Sequence, residues 1–435
     1  MFLKRKVYSR VLLLLLCIAI GNSATAQFWK GGSGRKTKKV NSLSKYPIKP
    51  KALEKPKAEK PKRKKQIDYP QSVKKDRYRI DVMIPLYLDE MVKDGQVMIK
   101  GKIPEKAQSG INFYEGIKLA VDTLKFMGYK TDVYIHDIAS RGASINQLIK
   151  SDSLANTDLI IGFVSAQQIN VLAEYAASRK VNFVSAFSPS DANIKENPYF
   201  ILMNPTLQNN CEAIADAANK KRTKESVVLL KRTNVAIDSS AYHFITDHIQ
   251  IKNLQELDCK TMPDSATLSA VLDSSGKNIL LMPIMDAGYA ERMVQMLDTY
   301  FPQYRFEIYG MPTWKSITTN KKMIDFGENI SIIITQPYYY DPSVSMGQVV
   351  AEKYKSNFGG KPNDLTYRGF ELIYWMTDLL NKYGAVFNEK TEDNSMSIFT
   401  RFDLKPKWDK DNNFYYTENK HLYLYRYQAG TMLVE

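Results

Sequence analysis

Cysteine and histidine are both scarce in this 435-residue chain, with three of the first and four of the second. Beyond the first 26 residues only Cys211 and Cys259 remain, too few for a disulfide framework in a chain of this size. One bridge or two buried thiols are both compatible with that count. His136, His243, His248 and His421 show no paired spacing with each other, with acids or with cysteines, so no zinc site is legible. Long apolar runs are equally rare. The one candidate, Val11 to Ile20, would rise only about 15 Å as a helix against a hydrocarbon core of about 30 Å. There is no G-x-S-x-G, no phosphate-binding loop and no Cys/His pair, so the expectation is a non-enzyme with no metal and no cofactor. Asp409-x-Asp411-x-Asn413 opens like a calcium loop, but Phe414 stands where glycine is required and Lys420 where the closing glutamate belongs. A hairpin turn is the better reading.

What the chain has in excess is positive charge, a formal +15. Its distribution matters more than its sum. Residues 1–26 carry +4, residues 27–78 carry +14, and residues 79–435 carry −3. The first segment has Lys4, Arg5, Lys6 and Arg10, then the apolar run, then Ala24-Thr25-Ala26, which is the pattern of a signal peptide cleaved after Ala26. The second, with KPKALEKPKAEKPKRKK at 49–65, is Lys/Pro-rich and too poor in large apolar residues to build a core. It reads as an extended, disordered linker, either a plain spacer or a cationic strap onto anionic envelope polymers or lipid head groups. Export to the periplasm or cell envelope removes nucleic acid as the partner of this charge.

From residue 79 strands and helices alternate. Strands are expected at 79–85, 131–137, 158–163 and 181–186, with helices at 112–126, 145–152 and around Ile169 to Ala176. A second series follows, with strands at 226–231, 256–259, 278–284, 305–309 and 330–335 and helices near 241–251, 268–273 and 288–300. Such alternation implies an α/β fold with mostly parallel sheets, and two series of similar size imply two lobes. Ligands bind such sheets beyond the carboxyl ends of their strands, so the expected site is a cleft between the lobes.

The first strand ending in Pro85, FYEGIKLAVD at 113–122, DLIIGFVSAQ at 158–167, VNFVSAFSPSD at 181–191 and AEKYKSNFGGKPNDLTYRGFELIYW at 351–375 together carry a family likeness. The last holds Phe358, Gly359, Pro362, Gly369, Phe370 and Glu371 in signature positions. In these motifs the chain resembles the type 1 periplasmic solute-binding proteins, specifically the branched-chain amino acid binding group. The resemblance implies a two-lobed fold over residues 79–435, with lobe I at about 79–206 and 337–385 and lobe II at about 207–336 and 386–430. It also implies a non-enzyme that binds a small polar ligand, as in amino acid transport.

By the same resemblance, Ser165 with Ala166 matches a position that contacts a ligand carboxylate, where a helix N-terminus favours an anion. Ser165 to Gln168 also fits a capping box. Ala186, Phe187 and Ser188 match a second carboxylate-binding segment, although Pro189 replaces a threonine. Ser188-Pro189-Ser190-Asp191 also reads as the start of a helix. Asp286 is placed to hold an ammonium group or to cap its own helix. Thr313 and Trp314, in Met311-Pro312-Thr313-Trp314, fall where the family keeps an acid that this chain lacks. Tyr87 and Tyr338 are aromatic candidates for stacking on a ligand or for packing at the lobe interface. Two functions are therefore expected: an envelope solute-binding protein, or a regulatory or scaffold module of the same fold that acts on peptidoglycan machinery or an outer-membrane protein partner.

Overall fold

A computed structural model describes residues 67–99, 101–221, 225–318, 326–341 and 343–435. The expected signal peptide and most of the basic linker lie outside the described residues. In chain order the first series is β1 (Tyr78–Ile84), α1 (Leu88–Met91), β2 (Val92–Lys93), β3 (Gln96–Val97), α2 (Glu105–Phe126), β4 (Thr131–Asp137), α3 (Ile145–Lys150), β5 (Leu159–Gly162), α4 (Ala166–Arg179), β6 (Asn182–Ser185) and β7 (Phe200–Leu202). The second is α5 (Leu207–Lys221), β8 (Ser226–Lys231), α6 (Ala236–Thr246), β9 (Leu254–Asp258), α7 (Ser265–Ser269), β10 (Lys277–Leu281), α8 (Ala287–Tyr300), β11 (Arg305–Gly310), α9 (Lys315–Thr318) and β12 (Ile330–Gln336). The chain then adds α10 (Ser345–Phe358), α11 (Asp364–Tyr383), β13 (Leu404–Trp408), β14 (Phe414–Asn419), β15 (Tyr423–Gln428) and β16 (Thr431–Val434).

Fourteen of these strands form two seven-stranded sheets, ordered β13-β14-β7-β6-β5-β1-β4 and β16-β15-β12-β11-β10-β8-β9, and β2 pairs with β3 alone. The central strands pair in parallel, and the antiparallel pairs are β13–β14, β12–β15, β15–β16 and the small β2–β3 ribbon. Strands such as Leu159–Gly162 and Ile330–Gln336 are buried throughout, which explains why they read as unbroken apolar runs rather than alternating ones. The expected assignment of 386–430 to the second lobe is corrected here: β13 and β14 complete the first sheet, and only β15 and β16 return to the second. The chain therefore crosses between sheets three times, between β7 and α5, between β12 and α10, and between β14 and β15. The helix expected near 241–251 ends at Thr246, while Ile249 and Ile251 pack on the core from the turn beyond it. Cys211 and Cys259 are free thiols in the second lobe's core, each pushed up to about 12 chiefly by burial. Residues 409–413 form the turn of the β13–β14 hairpin, with Asp409 Oδ1 accepting from the Asp411 and Asn413 N–H groups at 2.8 and 2.7 Å.

Two features of the first lobe position the cleft. Helices α2 and α11 cross in backbone contact at Gly116 and Gly369. A Cβ on Gly116 would lie 1.9 Å from the Thr366 carbonyl oxygen, and one on Gly369 would lie 2.2 Å from that of Phe113. Both obstacles are backbone, so neither can move aside cheaply. Ahead of β1, residues 67–77 run along the same lobe. Tyr69 packs edge-on against Tyr199, Ser72 Oγ accepts from the Val386 N–H at 3.1 Å, Lys75 pairs with Asp158 at 2.6 Å and Arg77 with Asp132 at 2.7 Å.

The glycine crossing predicts that Gly369→Ala destabilises the chain by about 1–3 kcal/mol or more, through overpacking against fixed backbone. Chemical denaturation checks this, with the exposed Gly288→Ala, where a Cβ would meet nothing closer than 3.4 Å, as the reference for an unobstructed site.

Candidate functional site

The carboxyl ends of the strands carry the loops in which the candidate residues sit. After β5, Phe163 and Val164 lead into Ser165, the exposed N-cap of α4. Its hydroxyl accepts from the Gln168 N–H while Gln168 Oε1 accepts from the Ser165 N–H, at 3.4 and 2.9 Å. The capping-box reading thus holds, and it leaves the Ala166 and Gln167 amides as first-turn donors with no intrahelical partner.

After β6 the chain does not start the helix expected at Ser188. Ser188 Oγ accepts from the Ser190 N–H at 3.2 Å, a turn two residues long, and Asp191 turns away to accept from Tyr416 OH at 2.7 Å. Those side-chain bonds compete with helix and win. Phe187, nearly buried, stacks on Phe163 with centroids 4.1 Å apart and an interplanar angle of 23°. Phe113 meets both rings edge-on, at 5.8 and 5.2 Å. Tyr338 closes this wall, its hydroxyl donating to the Ala186 carbonyl at 3.2 Å. Tyr87, in the left-handed region with φ 56°, stands apart. Asp137 fixes its loop by accepting from the Leu86, Tyr87 and Leu88 N–H groups, and the Lys106 ammonium lies 4.7 Å from its ring centroid.

In the second lobe the structure corrects Trp314. It is fully buried, packs over Gly310, and donates from Nε1 to the Ile284 carbonyl at 2.7 Å. Thr313 Oγ1 donates to the Met285 carbonyl at 2.8 Å. Both residues hold the loop that carries Asp286 and offer little to a ligand. Asp286 caps α8 by accepting from the Tyr289 N–H at 3.0 Å, and its other oxygen lies 3.5 Å from Arg232. Partial burial works against its charge, but the Tyr289 N–H and Arg232 outweigh it and hold the carboxyl below its usual range. Its side chain is half exposed, so capping leaves it open to the cleft.

Two groups that the sequence reading passed over complete the site. Lys315, the first residue of α9, reaches across to Asp364, the first residue of α11, at 2.7 Å, and so joins the two lobes. One turn along α11, the Arg368 guanidinium lies over the Tyr338 ring, 3.6 Å from its centroid, and 5.2 Å from that of Phe187. Arg368 directly precedes the Gly369-Phe370-Glu371 signature. Its spacing of four from Asp364 on one helix face was the available signal. Elsewhere, a groove of about 600 Å³ lies at the amino end of β4, lined by Lys125, Tyr129 and Tyr134 among others, away from the carboxyl edges.

Glu371 braces this wall from below. It is buried, and its Oε1 accepts from the Ile398, Phe399 and Thr400 N–H groups at 3.1, 2.7 and 2.7 Å. Burial pushes its carboxyl up to about 7 in spite of those donors. A raised folded-state value means that the protonated form stabilises the fold. This contribution is complete below about pH 4.5 and is lost as pH rises through 7, a change of roughly 3 kcal/mol at most. Glu371→Gln, which keeps an acceptor at Oε1, is expected to flatten the fall in stability between pH 5 and 8, as read from denaturation midpoints across that range.

No protein-family model matches the sequence, and no curated protein matches it. Solved structures do. One is a protein from Rhodospirillum rubrum assigned to branched-chain amino acid ABC transport, with a TM-score of 0.58, 12% identity, and 82% of this chain and 100% of that chain covered. Another is an ABC transporter substrate-binding protein from Desulfitobacterium hafniense in complex with Leu, at 0.51 and 12%, with the same coverage. A third is the C-domain of LpoA from Haemophilus influenzae, a regulator of PBP1A, at 0.51 and 14%, covering 82% and 99%. At such identities the likeness concerns the fold, and the fold is the two-lobed type 1 periplasmic-binding-protein fold.

Proposed function

We propose that the chain is an exported, non-catalytic binding protein of the cell envelope that closes its two lobes on a small polar ligand. The observation that carries this reading is the Lys315–Asp364 pair, a contact between lobes at the carboxyl edges, where closure of such a fold brings loops together. On one side of it stand the first-turn amides of α4, which suit an anion. On the other stands the half-exposed Asp286, which suits a cation or a hydroxyl. The basic pattern ahead of the domain and the absence of any catalytic motif agree with a tethered receptor. Among the described residues no helix is long and apolar enough to cross a membrane.

A second reading, a regulatory or scaffold module that acts on peptidoglycan machinery or an outer-membrane partner, has its own support. Thr313, Trp314 and Tyr338 spend their polar atoms inside the chain, and the likeness to the LpoA C-domain equals that to the Leu-bound protein in TM-score. A thermal-shift screen of the mature protein against amino acids, short peptides and wall fragments separates the two. Ligand binding is expected to raise the melting temperature, by the equivalent of about 2.7 kcal/mol at 100-fold the Kd. A flat screen from a protein that co-purifies with an envelope complex would establish the regulatory reading instead. Lys315→Glu, which sets like charges opposite each other, is expected to widen the interlobe distance between paired spin labels while changing stability by less than about 1 kcal/mol.

A further inference from the structure

We propose that Arg368 is the ligand anchor of the cleft and that the ligand is an anion, a carboxylate whose acid group meets the guanidinium while an apolar group beside it rests on the Phe163–Phe187 stack. This deepens the ligand-binding reading and rests on it. The placement of Arg368 follows from α11. Asp364 on the first turn reaches Lys315 of the other lobe, and Arg368 is four residues further on, so both lie on the helix face that looks into the cleft. Tyr338 covers one face of the guanidinium and Phe187 lies at its flank, which leaves the coplanar N–H groups as its polar outlets.

Those outlets are unused within the chain. Among the described residues no carboxylate lies within 4 Å of Arg368. Asp364 is engaged by Lys315, and Glu371, one turn on, gives Oε1 to the backbone of residues 398–400. Arg368 Nε and the adjoining Tyr340 hydroxyl are sealed from solvent without a well-aligned partner, and the one contact between them is a weak one from Nε to the phenol oxygen. The guanidinium therefore has a neutral phenol oxygen beside it and no carboxylate in contact, on a cation largely withdrawn from water. A cation withdrawn from water whose nearest counter-charge, Asp364, is already engaged by Lys315 is costly, and a bound oxyanion recovers much of that cost through paired, charge-assisted bonds. The guanidinium fork matches the two oxygens of a carboxylate. Next to it the Phe163–Phe187 pair offers an apolar wall, and Phe163 stands two residues ahead of Ser165 at the start of α4. An acid with an aromatic or branched aliphatic group would use both surfaces at once.

The test is titration calorimetry on the mature protein with four probes: phenylacetate, isovalerate, the neutral phenylacetamide and inorganic phosphate. The carboxylates are expected to bind at least tenfold more tightly than phenylacetamide. Arg368→Lys, which keeps the charge but loses the fork, should weaken them about tenfold, and Arg368→Gln about a hundredfold or more. Arg368→Gln removes an unpaired buried cation and is expected to melt no lower than the parent, with its melting temperature no longer raised by phenylacetate. If Arg368→Gln fails to fold, the Lys variant and the acid-to-amide ratio still decide. Tightest binding by phosphate would keep the anion site and overturn the apolar subsite. Equal affinity for acid and amide, or undiminished binding in both variants, overturns the anion site while leaving a ligand-binding cleft. Silence from every probe here, together with a flat broader screen, overturns both.

Discussion

The backbone contact between α2 and α11 is the constraint from which the first lobe's half of the cleft follows. With Gly116 against Thr366 and Gly369 against Phe113, α11 has one rotation about its axis that avoids a clash. That rotation distributes four consecutive residues to four tasks. Arg368 lies over the Tyr338 ring, Gly369 touches α2, Phe370 enters the core, and Glu371 turns down to hold the backbone at 398–400. No neighbouring register would serve all four, so the signature around Gly369 is a packing requirement before it is anything else.

The second lobe solves a different problem. Its loop after β11 looks like ligand-binding material in one dimension, with a threonine and a tryptophan beside a proline. In three dimensions it is scaffolding. Trp314 fills the space above Gly310 and ties itself to Ile284, Thr313 ties to Met285, and the product of both bonds is a fixed position for Asp286. The charged groups that the described loops place here are Asp286 in the second lobe, Arg368 in the first, and the Lys315–Asp364 pair between them.

Much of the fold was legible because burial on both faces turns central parallel strands into apolar runs, as at 158–163 and 330–335, and because helices such as 288–300 keep a clean period. The last hairpins were not. β14 and β15 are separated by three residues yet belong to different sheets, and nothing in local pattern distinguishes a turn that stays in a lobe from one that leaves it. Strand β7 has only three residues, too short to show periodicity. The helix caps at Ser165 and Asp286 could be found because caps have a sequence grammar. Trp314 was misplaced because an aromatic in a loop looks the same whether it points inward or outward. Arg368 was passed over because its significance lies in what fails to pair with it, and partners distant in sequence do not appear in a linear reading.

The strap ahead of β1 has a mechanical consequence. Tyr69, Ser72, Lys75 and Arg77 make their contacts with Tyr199, Val386, Asp158 and Asp132, all in the first lobe. Force arriving through Tyr69 would be shared among these bonds, all of them made within the first lobe. The crossings are themselves braced: Lys420, between β14 and β15, pairs with Glu418 of the first lobe at 2.8 Å and with Glu212 of α5 at 3.9 Å, and Tyr425 OH donates to the Tyr338 carbonyl at 2.7 Å. The chain that leads into the domain is therefore anchored on the first lobe's side of the cleft.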